Sequence, residues 1–219
     1  MTGGPRHSRI PVSPGVGLQA DLDGPRTPVR GSVVFAHGSG SSRHSPRNMH
    51  VAAVLRGVGL RTVLLDLLTE AEEHVDIRTR RHRFDIPLLA GRLVGVIDWM
   101  QEDPELGADP IGLFGASTGA AAALVAAAAR PDQVAAVVSR GGRPDLAGDA
   151  LGEVRAPTLL VVGSLDHTVI HLNREAQARM TAPTMLKVVD GAGHLFEEPG
   201  TLDEVARLAG DWFVARLSG

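Results

Sequence analysis

The stretch from Ile111 to Ala129 carries no charge and is interrupted by Gly115-Ala116-Ser117-Thr118-Gly119. Before the interruption, Ile111 to Phe114 is a short apolar run of strand type. After it, Ala120 to Ala129 consists of strong helix formers. A strand that enters a helix through Gly-x-Ser-x-Gly turns so sharply that the central serine is forced into a strained backbone conformation, with its hydroxyl held clear of the sheet. Glycine on both sides removes the Cβ atoms that would collide as strand and helix close on each other. The stretch is long enough to resemble a membrane span. Its alanine and glycine content, with Ser117 and Thr118 in the middle, divides it instead into strand, turn and helix.

The rest of the chain repeats that alternation. Arg9 to Val12 and Gly15 to Leu22 read as a hairpin around Ser13-Pro14-Gly15, at a sheet edge where proline is tolerated. Asp23 to Pro28 is a turn-rich connection. Gly31 to Ala36 is a continuous apolar run, the pattern of a strand buried on both faces; Thr62 to Leu65 and Thr158 to Val162 read as further buried strands, Val134 to Val138 as a strand and Thr184 to Val189 as the last one. Helices are expected over Ser45 to Gly57, Asp85 to Gln101, His171 to Met180 and Leu202 to Leu217. In the second of these, Leu89, Leu93, Val96, Ile97 and Met100 recur at helical spacing. Asp66 to Arg83, acidic and then basic, reads as a solvated loop with local charge pairs. Short apolar strands alternating with helices specify an α/β fold with a mostly parallel sheet covered on both faces. One such domain over 1–219 is expected, with 1–28 as edge strands and an N-terminal extension.

Composition excludes several partner classes. A net charge of −3 supplies no electrostatic footprint for nucleic acid or for an anionic membrane. With five Phe, two Trp and no Tyr there is little to stack bases on. The absence of cysteine rules out disulfides, a thiolate metal cluster and a thiol nucleophile. No metal and no cofactor are expected. Met1 to Val12 lacks the apolar core of a signal peptide, so a cytoplasmic location is the expectation. A monomer and a homodimer are equally compatible with the sequence.

In sheets of this kind, function gathers on loops leaving the carboxyl ends of the strands. Those loops carry His37-Gly38-Ser39-Gly40-Ser41-Ser42, then Ser117, then Ser139-Arg140-Gly141-Gly142-Arg143. Gly163-Ser164-Leu165-Asp166-His167 and Asp190-Gly191-Ala192-Gly193-His194 follow. A nucleophile, an acid and an imidazole thus emerge on one edge in the order Ser, Asp, His. On HGSGSS at 37–42, GASTG at 115–119, GSLDHTV at 163–169 and GAGHLFEEPG at 191–200, the chain resembles the α/β-hydrolases. Within them it is similar to the dienelactone-hydrolase-like branch of small hydrolases without a cap domain. The resemblance covers nearly all of the chain from Val29 onward. Dienelactone hydrolases proper use a cysteine where this chain has Ser117, a departure that bears on the substrate and leaves acyl-transfer chemistry intact.

The roles follow from the chemistry. Ser117 Oγ attacks an acyl carbon and needs an adjacent base. Of the nine histidines, His194 on its glycine-rich loop is the convincing one. Asp166 fixes the His194 tautomer and stabilises the imidazolium; Asp145, after the preceding strand, is the rival acid. The backbone N–H groups of Thr118 and Ser39 are the expected oxyanion donors. Gly38 to Ser42 lacks the Gly-Lys-Ser/Thr that completes a phosphate-binding loop, and Lys187 is the sole lysine. Arg140 and Arg143 border the same edge, where they could hold a substrate carboxylate or pair with Asp145 or Glu153. The expected activity is cleavage of a small carboxylic ester, thioester or lactone. An acyltransferase or perhydrolase with the same triad, and a noncatalytic binding protein on the same fold, are the alternatives. Only Arg143 to Arg155 separates two core strands on that edge, too short for a lid domain.

Overall fold

A computed structural model of the chain describes residues 4–25 and 29–217. Strands β1 (Arg6–Ser13) and β2 (Val16–Asp23) form an antiparallel hairpin. Strands β3 (Ser32–Ala36), β4 (Arg61–Leu65), β5 (Ile111–Ala116), β6 (Val134–Arg140), β7 (Thr158–Gly163) and β8 (Thr184–Val189) run parallel to one another. The eight make one sheet in the order β1-β2-β4-β3-β5-β6-β7-β8, with β2 antiparallel to β4. Six helices accompany it: α1 (Pro46–Gly57), α2 (Glu70–Thr79), α3 (Ile86–Glu102), α4 (Thr118–Ala129), α5 (His167–Arg179) and α6 (Thr201–Leu217).

The apolar runs are continuous because the central strands are buried on both faces. Side chains alternate along a strand, so Val33 and Phe35 of β3 join Phe114 in a core closed by α1 and α6 through Val51, Leu55, Val205 and Phe213. Val34 and Ala36 join Leu113 in the opposite core, closed by α3 and α4 through Leu89, Leu93, Val96 and the run from Ala121 to Leu124. Phe35 and Phe114 lie 4.8 Å apart at the ring centroids, side by side on neighbouring strands. The uncharged stretch 111–129 is β5 followed directly by α4. Among the described residues, no helix is long and apolar enough to cross a membrane.

Two expectations are corrected. Asp66 to Arg83 is not a solvated loop, since it contains α2. Thr69 and Glu72 form a reciprocal capping box there: the Glu72 N–H donates to Thr69 Oγ1 at 3.3 Å and the Thr69 N–H to Glu72 Oε2 at 2.8 Å. The Thr-x-x-Glu signature is legible in the sequence; the low apolar content hides it. Polar contacts dock this helix. Glu72 meets Arg92 of α3 at 2.6 Å. Asp76, 1% exposed, accepts from the backbone N–H groups of His82 and Arg83 and from Arg83 Nε. The second correction is that α5 begins at His167 rather than His171, because Asp166 caps it. Pro144–Glu153 is a 3-10 segment kinked at Gly148, and it occupies most of the Arg143 to Arg155 span. In the Asp23 to Pro28 connection, residues 26–28 lie outside the described part.

Asp76 is the polar keystone of this corner, and its ion-pair partner Arg83 reaches Gly40, where an added Cβ would lie 3.1 Å from Arg83 Nη1. Asp76→Asn removes the charge that holds Arg83 and places an amide donor against another donor. It should lower stability by about 3 kcal/mol, as expected when one partner of a buried pair is lost. Denaturant unfolding monitored through Trp99 and Trp212 measures this; a loss within error of zero would show that α2 docks without the pair.

Candidate active site

Strand β5 ends at Ala116, and Ser117 follows with φ 51° and ψ −121°, a left-handed backbone in a residue that carries a Cβ. Such conformations cost on the order of 1–3 kcal/mol and persist only where the surroundings enforce them. Here the enforcement is steric. A Cβ on Gly115 would come within 2.4 Å of Ala120 Cα, and one on Gly119 within 2.3 Å of the Ala36 carbonyl oxygen. The Ser117 N–H donates to the Arg140 carbonyl at 3.2 Å, and its own carbonyl accepts from Ala120 and Arg143. The half-buried serine is thus fixed on both sides at the head of α4.

The acid and the imidazole come from two loops that are knitted together. Leu165 N–H donates to the Ala192 carbonyl at 2.9 Å, and Gly191 N–H donates to Ser164 Oγ at 2.8 Å. A Cβ on Gly163 would strike the Ala192 carbonyl oxygen at 2.2 Å, which is why the loop needs glycine there. His194 Nδ1 lies 2.6 Å from Asp166 Oδ2, with side chains 39% and 17% exposed. The other Asp166 oxygen accepts from Val169 N–H at 3.4 Å and caps α5. One carboxylate thus serves both as helix cap and as histidine partner.

Two features of the histidine loop give no sequence signal. Phe196 has φ 55° while its ring is buried in the α1/α6 core, so the ring anchors a strained turn two residues beyond His194. Nearby backbone N–H groups, that of Gly193 first and then those of Glu198 and Glu197, hold the Glu198 pKa below the usual carboxylate value. Both lie in the GHLFEEP string, where their residue types alone do not separate loop anchors from solvated side chains.

The remaining candidates fall out differently. Asp145 binds Arg143 through both oxygens, at 2.8 and 2.7 Å, so Arg143 is engaged in a structural pair and the rival acid is occupied by it. Thr118 N–H is a first-turn amide of α4, beyond reach of any intrahelical carbonyl. The Ser39 N–H, expected to stand free beside it, donates to Thr118 Oγ1 at 3.1 Å. Arg140 is buried at the end of β6. His37 is a strut. The Leu67 N–H donates to Nε2 at 3.0 Å, so Nδ1 carries the proton and donates to the Gly38 carbonyl at 2.9 Å. It thereby holds the 38–40 loop against Ser117, where a Cβ on Gly38 would lie 3.1 Å from Ser117 Cβ. A cleft of about 840 Å³ opens on the far side of His37, between the β1–β2 hairpin and α2; Ser117, Asp166 and His194 do not line it.

A parallel sheet with a strained serine at the head of a central helix, and a paired Asp and His on the next carboxyl-edge loops, defines the α/β-hydrolase fold. No cap domain is evident among the described residues. The model of the dienelactone hydrolase family matches residues 66–212, and the chain belongs to that family. The crystal structure of a dienelactone hydrolase from Anabaena variabilis superposes with a TM-score of 0.93 at 53% identity, covering 98% of this chain and 99% of that one. Est1E from Butyrivibrio proteoclasticus shares the fold at 16% identity, with a TM-score of 0.79 over 99% of this chain and 100% of its own. A Mycobacterium tuberculosis protein that carries the provisional name of a phosphoribosyl transferase is 60% identical over 190 residues. Those residues make up 87% of this chain and 42% of the relative, so the chain spans about two fifths of the length of the curated protein it matches.

Burial holds the His37 pKa below its ordinary value, against smaller opposing effects of the Gly38 hydrogen bond and of Asp66 and Glu73. The unfolded chain then binds the proton more readily than the folded one, so stability rises with pH through this window and is lost as pH falls below about 6.5. The slope from this one residue is at most about 1.4 kcal/mol per pH unit. His37→Gln should be less stable at pH 7 and should show a flatter decline between pH 7 and 5. Thermal unfolding of both proteins across that range checks it, and parallel curves would assign the decline to other groups.

Proposed function

We propose that the chain is a serine hydrolase that cleaves small carboxylic esters, thioesters or lactones through an acyl-enzyme. The single observation that carries this reading is the 2.6 Å Asp166–His194 contact, on the same sheet edge as a serine held at positive φ on a strand-to-helix turn. Family membership and fold support a hydrolase of the dienelactone hydrolase type; the bond it cleaves is inferred from the site.

In the proposed cycle, Asp166 accepts the His194 Nδ1–H and leaves Nε2 free to take the Ser117 proton. Ser117 Oγ attacks the acyl carbon, and the Thr118 N–H stabilises the oxyanion with help from the positive end of α4. The Ser39 N–H serves as second donor once the Thr118 hydroxyl turns aside. His194 then protonates the leaving oxygen or sulfur, and water repeats the sequence on the acyl-enzyme. The edge between Arg143 and Arg155 carries only the 3-10 segment, which leaves the serine open and favours short acyl chains. The phosphoribosyl transferase name belongs to a protein more than twice as long, and the matched part supplies no reason to carry that activity over.

Ser117→Ala should keep the fold and cut turnover of p-nitrophenyl esters by about four to six orders of magnitude. It should also abolish covalent labelling by a fluorophosphonate probe. A variant that is still labelled, or that keeps a tenth of wild-type turnover, would assign the nucleophile elsewhere.

Asp166→Asn should lower kcat by up to about ten-thousand-fold. Its Oδ1 can still cap α5, so the melting temperature should change little. Asp145→Asn should instead act on stability through Arg143 and leave kcat within a few-fold. A reversed ranking in kcat, measured on the same ester, would move the acid to the earlier loop.

A further inference from the structure

The cleft on the far side of His37 takes no part in the proposed cycle. Its volume, about 840 Å³, lies in the range of small-molecule sites. His37, Ser41 and Ser42 form its inner wall. One side is the β1–β2 hairpin, through Arg9, Gly17 and Gln19, and the other is α2.

Helix α2 divides its side chains between two faces. Glu72 and Asp76 turn into the protein and pair with Arg92 and Arg83. Glu70, Glu73, His74 and Ile77, spaced i, i+3, i+4 and i+7, make a second stripe, and all four line the cleft. Neither Glu70 nor Glu73 meets a cationic side chain among the described residues. The Glu73 charge does reach the inner wall, where it is one of those acting on His37. Ile77 is 64% exposed, an apolar side chain left open along the cleft.

The hairpin wall carries the opposite charge. The register pairs Arg9 with Gln19 and Pro11 with Gly17, and a Cβ on Gly17 would lie 2.7 Å from Arg9 Nε. Glycine at 17 thus lets the arginine lie flat across the hairpin instead of standing out into solvent. No carboxylate among the described residues pairs with Arg9, whereas Arg43, the other arginine of the cleft, is tied to Asp66. With that pair cancelling, one cation faces two carboxylates, and Leu68, Ala71 and Ile77 supply apolar lining. The helix dipole alone accounts for acidic residues in the first turn of α2. It gives no reason for an unpaired arginine laid over a glycine on the other wall.

We propose that this cleft binds a small zwitterion, a molecule with an ammonium group at one end, a carboxylate at the other and an apolar chain between them. The ammonium, a compact charge with three donors, lies against Glu70 and Glu73. The carboxylate takes the planar donor fork of Arg9, and the chain covers Leu68 and Ile77. The site is separate from Ser117, Asp166 and His194, none of which lines the cleft, and it does not rest on the reading of Ser117 as nucleophile.

Calorimetry with the ω-amino acids from 4-aminobutyrate to 8-aminooctanoate tests this, with hexylamine and hexanoate as probes of each charge alone. Wild type should bind at least one member of the series about tenfold more tightly than either single-charge probe. Arg9→Gln should weaken that zwitterion by about ten- to a hundredfold, the range of a lost hydrogen bond to a charged group, without weakening hexylamine. The double variant Glu70→Gln/Glu73→Gln should weaken the zwitterion and hexylamine alike without weakening hexanoate. Arg9→Lys, which keeps the charge without the fork, should retain part of the affinity and replaces the glutamine variant if that one does not fold. Ser117→Ala should bind as wild type does. Loss of binding in Ser117→Ala would move the zwitterion to the nucleophile and overturn the cleft. So would a failure to bind any of the series, a tie with the single-charge probes, or affinity indifferent to Arg9 and to the two glutamates. None of these outcomes touches the hydrolase reading, which stands or falls on covalent labelling of Ser117.

Discussion

The carbonyl oxygens of Ala36 and His37 stand 2.3 and 2.5 Å from where a Cβ on residue 119 would be. That close approach of β3 to the head of α4 is the constraint on which the site depends. It requires glycine at 119, it presses the 38–40 loop onto Ser117, and it leaves the serine a backbone conformation that residues with side chains rarely take. The alanines of α4 follow from the same demand, since a helix seated this close between two layers has no room for larger side chains. Nine of its residues are buried, around nearly its whole circumference, so it contributes little polar surface and takes its place through fit.

The sheet is legible in the sequence because physics writes buried parallel strands as continuous apolar runs, and β3, β5 and β7 are buried at every position. Helix α2 is not, because its docking rests on ion pairs. Asp76 and Arg83 look in sequence like any two charges in a polar stretch, and only the fold removes one of them from water. The start of α5 escapes sequence reading for a related reason. Asp166 stands out in the sequence as the partner of a histidine, whereas a carboxylate has two oxygens and the second of these caps the helix.

The site divides along the same line. Ser117, Asp166 and His194 stand out as candidates because glycine-rich turns and carboxyl-edge positions mark them. The residues that hold them cannot. Phe196 and Glu198 act through burial and backbone contacts that no spacing encodes. Arg140 and Arg143 flank the same pair of glycines and are identical in type, yet one is neutralised by Asp145 and the other by no carboxylate among the described residues. Residue identity sets out the pair; the direction in which each side chain leaves β6 and its loop decides between them.

The double use of Asp166 also has a mechanical meaning. With one oxygen on the first turn of α5 and the other on the imidazole, the carboxylate is a rigid link between a surface helix and the histidine ring. Helix α5 presents His171, Arg174 and Glu175 outward. A small rotation of that helix about its axis would swing the carboxylate, and the ring would follow through a contact of 2.6 Å. The imidazole would thus respond, through one carboxylate, to a helix whose outer face lies on the surface.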